Sequence, residues 1–309
     1  MGGVILGSAM ECVIHSQKEI RNNFQKGEAE MTGAFVGSSA ELIVKEASRW
    51  GAVCINTGCN LACSHCYLGE KKGNEAMSSE IAEKIAGMPW SGIVIVGTEP
   101  FLDEDSVKIA EIFAKRPGTR ALTNGVNLGK FARRVASLEA VDISLDGGPK
   151  TYSRGPDFSS IVESSGIWRN VSGKDVFALH TLTVQNLGNI GDMLEGSRLI
   201  GSASTYFSPM IPTLGGCNLP PVSVEQIVQA LKSFAGGNWK LVVDPIHAFA
   251  SQETWDKIKD LMTGLPEENR LIADFDPGER VVRINHMGRA FHPFFSLHPG
   301  IKLPGVPLA

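Results

Sequence analysis

Residues 92–145 read GIVIVGTEPFLDEDSVKIAEIFAKRPGTRALTNGVNLGKFARRVASLEAVDISL. The run Gly92–Gly97 is short, continuously apolar and bounded by turn-forming residues, which predicts a strand buried on both faces. A helix is expected from Asp103 to Ala114, a strand from Arg120 to Thr123, a helix from Leu128 to Ser137 and a strand from Val141 to Leu145. The alternation extends both ways. Upstream lie a strand at Ala52–Asn56 and a helix at Ser78–Ala86. Downstream, helices are expected at Phe158–Arg169, Ile190–Leu199 and Ser223–Phe234, and strands at Asp175–Val184, Ser204–Pro209 and Lys240–Asp244.

Strands alternating with helices at this spacing imply right-handed crossovers and a parallel sheet. The expected fold class is α/β, a partial (β/α)6-type TIM barrel over residues 51–245, because each strand must find a covered neighbour. Residues 1–50 form a short N-terminal extension in this reading, and residues 246–309 a small α+β appendage. The appendage holds a helix at Gln252–Met262, a strand at Arg280–Asn285 and a turn at His286–Arg289. Barrels of this kind place function on the loops after the C-terminal ends of the strands.

The bulk numbers narrow the choice of partner. A formal charge of −4 over 309 residues gives no electrostatic reason to expect nucleic acid. No apolar run approaches the roughly 20 residues needed to span a bilayer. The opening MGGVILGSAM lacks a basic start and is interrupted by Glu11, so it does not read as a secretion signal, and the cytoplasm is the expected location.

Six cysteines are unevenly spread: Cys54, Cys59, Cys63 and Cys66 cluster, whereas Cys12 and Cys217 stand apart. Such clustering reads as a metal site rather than a disulfide framework. Cys59, Cys63 and Cys66 have a C-x3-C-x2-C spacing on one short loop. Three thiolates can ligate three irons of a cubane and leave the fourth open to a chelating substrate. The competing reading is a zinc knob with Cys54 or His65 as fourth ligand. Cys54 falls in a strand, where a small apolar-like thiol is usually core. His65 lies between two ligands and would reach the same ion with difficulty.

These cysteines match the cluster motif of the radical SAM superfamily, and the resemblance runs over roughly residues 50–215. His65 holds the position before the last cysteine, which in the family is usually aromatic and near the adenine. Gly97-Thr98-Glu99-Pro100 resembles the family's GGEP segment, which hydrogen-bonds the methionine amino group; Thr98 replaces the second glycine. Ile143 to Gly147 and Tyr152 to Gly155 resemble the S-L-D-G…R-G segment of the branch that modifies peptides and small molecules. By that similarity Ser144 and Arg154 hold the SAM ribose and carboxylate. Asp146 either touches the cofactor or holds the turn. Asn124, within Thr123–Gly125, lines the pocket, and Met210 packs on the adenine or fills the core.

The resemblance implies a [4Fe-4S] cluster and S-adenosyl-L-methionine as cofactors, oxygen sensitivity, a biosynthetic role and a flavodoxin- or ferredoxin-type electron donor. It further implies reductive cleavage of SAM and hydrogen abstraction from substrate by a 5′-deoxyadenosyl radical. The expected substrate is a small molecule of sugar, aminoglycoside or nucleotide type. A ribosomal peptide is the alternative, and activation of a glycyl radical enzyme a third. From another class stands a non-catalytic iron–sulfur or zinc protein. Relatives with auxiliary clusters carry further cysteines near the C-terminus, and this chain has none after Cys217. Cys217, in a loop after the sixth strand, is a candidate hydrogen-atom donor for an epimerisation. Asp244 and His247, after the seventh, are candidate substrate ligands. His286, His292 and His298, six residues apart, do not have a usual ligand spacing.

Overall fold

The computed structural model describes residues 50–66, 73, 75–155, 157–210, 219–220, 222–243, 252–272, 281–284, 286–287, 289–291 and 306–307. The chain divides between Lys45 and Glu46, and the described residues all belong to the second unit. Cys217, Asp244, His247, His292 and His298, with Cys12 and the N-terminal extension up to residue 49, lie outside the described residues.

Eleven strands form one sheet in the order β11-β10-β9-β1-β2-β3-β4-β5-β6-β7-β8. Its body is β1 (Trp50–Val53), β2 (Gly92–Ile95), β3 (Thr119–Thr123), β4 (Ala140–Ser144), β5 (Val176–Leu182), β6 (Thr205–Pro209), β7 (Trp239–Val243) and β8 (Arg270–Ile272), each parallel to the next. The helices between them are α1 (Ser79–Ala86), α2 (Glu104–Ala114), α3 (Leu128–Phe131), α4 (Phe158–Ser172), α5 (Ile190–Leu199), α6 (Val224–Leu231) and α7 (Gln252–Met262). The expected partial TIM barrel is present, with eight strands in series rather than six or seven. Among the described residues the sheet ends at β8 and β11, with no pairing between those two strands. None of the described helices is long and apolar enough to cross a membrane.

The elements begin where their caps dictate. The Ser78 hydroxyl accepts from Ile81 N at the start of α1, and Asp103 accepts from Ser106 N ahead of α2. Ser223 and Gln226 make a reciprocal capping box on α6. Gly173, left-handed at φ 68°, terminates α4.

Two expectations are corrected. The helix expected over residues 128–137 ends at Phe131, because the chain tightens into turns closed by Arg134 N donating to Phe131 O and Leu138 N to Val135 O. β8, which the sequence reading left out, extends the barrel edge. At the other edge β9 (Val281–Ile284) pairs parallel with β1, and β10 (Arg289–Phe291) returns antiparallel to β9 and pairs with β11 (Val306–Pro307).

Alternation along the strands sorts the side chains. In β5, Val176, Ala178, His180 and Leu182 are buried towards the helices, while Phe177, Leu179 and Thr181 are half-exposed on the other, concave face. The helix side is a continuous apolar layer that includes Met193, Phe207, Ile227, Leu231, Trp239 and Met262. Near the N-terminal ends of the strands the concave face is occupied by half-buried side chains. Arg120 pairs with Asp142 at 2.5 Å and lies 4.6 Å from the Phe177 ring, which in turn meets Tyr206 at 5.9 Å. Side chains available to ligands are therefore left to the C-terminal ends.

Candidate active site

The C-terminal ends of β1 to β5 supply the site, and a few buried polar groups tie those ends together. After β1 the chain makes an excursion that carries the cysteines. It is closed at its base by an antiparallel bridge between Asn56 and Ala76 and by Thr57 N donating to Glu75 O at 3.0 Å. Within it, Cys66 N donates to Cys63 O at 3.1 Å, a turn that carries two of the three thiols on one short arc.

Asn56 is the hub the sequence did not reveal. Fully buried, it donates through Nδ2 to Glu99 O at 2.7 Å and to Ser106 Oγ at 2.8 Å. Its main-chain oxygen accepts from Thr98 Oγ1 at 2.8 Å, and Thr98 also bonds the Asn56 Oδ1. Thr98, the departure from the glycine pair, thus fastens the segment after β2 to the segment after β1. A lone asparagine after a strand carries no pattern that would have flagged it.

Gly97 has φ 103°, a region that L side chains rarely adopt. A Cβ there would lie 2.5 Å from Cys54 Sγ. Cys54 is packed beneath Gly97 and donates to Asn56 O at 3.2 Å, and burial pushes its thiol up.

Glu99 is 1% exposed, and its carboxylate accepts three hydrogen bonds from the protein. Oε1 accepts from Phe101 N at 3.0 Å and Thr123 Oγ1 at 2.7 Å, and Oε2 from Asn124 N at 2.8 Å. Burial raises its carboxyl above the usual range, and the bonds from Asn124, Thr123 and Phe101 work against that rise. Asn124, brought into position by Glu99, donates through Nδ2 to Asn60 Oδ1 at 2.7 Å and faces Cys59 Sγ at 3.9 Å.

Asp146 has the unusual left-handed φ of 55°, which aspartate tolerates better than most side chains. Its Oδ1 accepts from Thr181 N at 2.5 Å. Oδ2 meets Arg154 Nη1 at 2.8 Å and His65 Nε2 at 2.9 Å. The Asp146 side chain is 4% exposed and that of Arg154 14%. Burial would raise the Asp146 carboxyl, but the Arg154 charge, His65 and the Thr181 N–H outweigh it and hold it at about 2. Between the two roles open for Asp146, the geometry makes it the anchor of Arg154, His65 and β5.

Arg154 also donates through Nε to Cys63 Sγ at 3.3 Å. Nε and Nη1 of Arg154 are thus engaged by Cys63 and Asp146. Ser144 sits half-buried at the end of β4, and Met210, at the end of β6, is 3% exposed.

Both side chains considered as a fourth zinc ligand are committed elsewhere: Cys54 under Gly97, His65 on Asp146. Among the described residues no three His, Cys, Asp or Glu side chains gather about one point as ligands of a single ion do. A cubane asks for something else, one thiolate per iron around a larger body, with N–H donors beside the sulfurs. Cys59 and Cys63 each face such a donor, an amide and a guanidinium. The residues fit an iron–sulfur cluster.

Comparisons with known proteins agree. A family model described as the radical SAM superfamily matches residues 53–193. SuiB of Streptococcus suis bound to S-adenosylmethionine is similar in structure, with a TM-score of 0.61 at 12% identity over 88% of this chain and 70% of that one. SuiB bound to precursor peptide SuiA gives a TM-score of 0.64 at 12% identity over 92% and 66%. A radical SAM methyltransferase from Sphaerobacter thermophilus shares 19% identity over 62% and 64%, with a TM-score of 0.48. The chain spans about two thirds of the length of the SuiB chains. No curated protein matches the sequence. The matched stretch contains the three cysteines, the G-T-E-P turn and Arg154, so the chain carries a radical SAM domain on residues 53–193 and is an enzyme.

Proposed function

We propose that this enzyme reductively cleaves SAM at a [4Fe-4S] cluster held by Cys59, Cys63 and Cys66, and abstracts hydrogen from a small-molecule substrate of sugar, aminoglycoside or nucleotide type. The observation that carries the reading is the pair of N–H donors on Cys59 and Cys63, delivered by the segments after β3 and β4 at the C-terminal mouth of a partial barrel. When bound, the cluster and SAM supply a one-electron cleavage that yields a carbon-centred radical.

The chain's own residues bind and orient. The Glu99 carboxylate already accepts from three protein donors, and main-chain carbonyls of Gly97 and Thr98 meet the methionine ammonium. Arg154 Nη2 is the edge left for the SAM carboxylate, Ser144 serves the ribose, and His65 and Met210 border the adenine. Asp142 and Arg120 pair on the concave face towards the N-terminal ends of the strands, away from the proposed reaction space. Cys217 returns a hydrogen atom in an epimerisation, and Asp244 and His247 contact substrate. The electron donor is of flavodoxin or ferredoxin type, and the setting is the cytoplasm.

A second reading takes a ribosomal peptide as substrate; the likeness to SuiB crystallised with precursor peptide SuiA, over 92% of this chain, favours it. The test of the common core is anaerobic reconstitution with iron and sulfide, addition of SAM and dithionite, and assay of 5′-deoxyadenosine by mass spectrometry. The wild type should form it and a Cys59/Cys63/Cys66→Ala variant should not. Equal yields from both would contradict the proposal. Deuterium transfer from labelled candidate substrates into 5′-deoxyadenosine then separates small molecule from peptide, and Cys217→Ala should leave SAM cleavage intact while stopping turnover.

A further inference from the structure

We propose that Arg154 sets the reduction potential of the iron–sulfur cluster, acting on the Cys63 sulfur before SAM is bound. This rests on the reading of Cys59, Cys63 and Cys66 as cluster ligands and goes beyond it, because the assigned task concerns the cluster alone and not the SAM carboxylate.

The argument begins with where the guanidinium is held. Its Nε lies 3.3 Å from Cys63 Sγ and its Nη1 2.8 Å from Asp146 Oδ2. Asp146 is itself pinned by Thr181 N at 2.5 Å and His65 Nε2 at 2.9 Å. The neighbouring Gly155 lies against Leu61 of the cysteine loop so closely that a Cβ would come within 2.5 Å of Leu61 Cδ2. Arg154 is therefore pressed onto the loop and cannot swing away from the sulfur without breaking the Asp146 pair.

Reduction adds one negative charge to a cluster, and its sulfurs share that charge. A buried cation with an N–H aimed at a ligating sulfur stabilises the reduced form more than the oxidised one, and in a site shielded from water the effect is strong. The donor facing Cys59 is weaker on two counts. The Asn124 amide is neutral and stands 3.9 Å from the sulfur, and it already donates to Asn60 Oδ1 at 2.7 Å. Arg154 is thus the dominant group, and the Asp146 carboxylate, held ionised by its partners, orients it. Neither cysteine-facing donor belongs to the cysteine loop: Asn124 directly follows β3, and Arg154 comes from the loop between β4 and α4.

The test is an anaerobic redox titration of the reconstituted, SAM-free enzyme, followed by EPR of the reduced cluster, with iron content measured in parallel. Arg154→Gln should titrate at a more negative potential. At a fixed poise its ratio of reduced to oxidised cluster should fall about tenfold, which for a one-electron couple corresponds to about 59 mV. Arg154→Lys, which keeps the charge but concentrates it on one nitrogen without the planar fork, should shift in the same direction by less, and it carries the test if Arg154→Gln fails to hold iron. Wild-type potentials in cluster-loaded variants would overturn the inference alone. A wild type that takes up no iron would overturn the cluster reading and this inference with it.

Discussion

At the residue scale, the site depends on a few buried polar groups whose partners lie far apart in sequence. Asp146 holds Arg154, His65 and Thr181 N at once. Asp146→Asn keeps a side chain that tolerates the left-handed backbone but removes the charge opposite Arg154. Breaking one side of a buried pair costs about 3 kcal/mol or more, and urea unfolding of the variant should show a loss of that order. Gly97 offers a sharper case. Gly97→Ala adds backbone strain of about 1–3 kcal/mol at φ 103° as well as a contact with Cys54 Sγ. Combining it with Cys54→Ala should recover only the steric part, so a double-mutant cycle should show partial rescue; complete rescue would mean that the backbone conformation costs nothing. The three cysteines proposed as ligands were legible because their spacing admits few readings. The partners of their sulfurs were not: Arg154 stands 91 residues from Cys63, and only the sheet brings them together.

At the scale of elements, the loop after β4 shows how the fold delivers Arg154. Asp192 on α5 accepts from Thr151 N at 3.0 Å, from Thr151 Oγ1 at 2.6 Å and from Lys150 N at 3.2 Å. Gly148 lies so close to the Asp192 main chain that a Cβ would overlap it. Asp192→Ala should leave these donors with water or nothing, cost about 1–2 kcal/mol, and speed hydrogen exchange at Lys150 and Thr151 while leaving α1 and α2 unchanged. Exchange spread evenly over the molecule would argue against a local clamp. The alternation of strands and helices was legible from apolar runs and caps such as Asp103 and Ser223. The early end of α3 was not, since Val135 and Leu138 continue an apolar pattern that suits a helix and a tight turn equally. β8, three residues beside Pro266 and Asn269, is too short to announce itself.

Across the whole molecule, the pairing of β9 with β1 had no local signal, because a parallel partner from the far end of the chain leaves no trace in neighbouring residues. It carries His286 to 3.3 Å from Glu75, just beyond the cysteine excursion. The buried layer also gives the protein a pH dependence. His180 is enclosed between Ser197, at 3.0 Å, and the Phe207 ring, and burial lowers it from 6.5 to about 4. The unfolded chain then binds more protons than the folded one between those values, so stability is complete above about pH 6.5 and declines as pH falls towards 4. The loss attributable to this group is roughly 3 kcal/mol. His180→Gln, which keeps a partner for Ser197, should flatten the urea midpoint over that window; an unchanged slope would contradict the assignment.

The central claim is that Cys59, Cys63 and Cys66 hold a cluster with one iron open to SAM. The measurement that tests it most directly is the EPR spectrum of the anaerobically reconstituted, dithionite-reduced protein before and after SAM is added. The account predicts a [4Fe-4S] signal whose g-values change on addition of SAM and which is missing from the Cys59/Cys63/Cys66→Ala variant. A signal indifferent to SAM, or a colourless protein that binds zinc in place of iron, would contradict it.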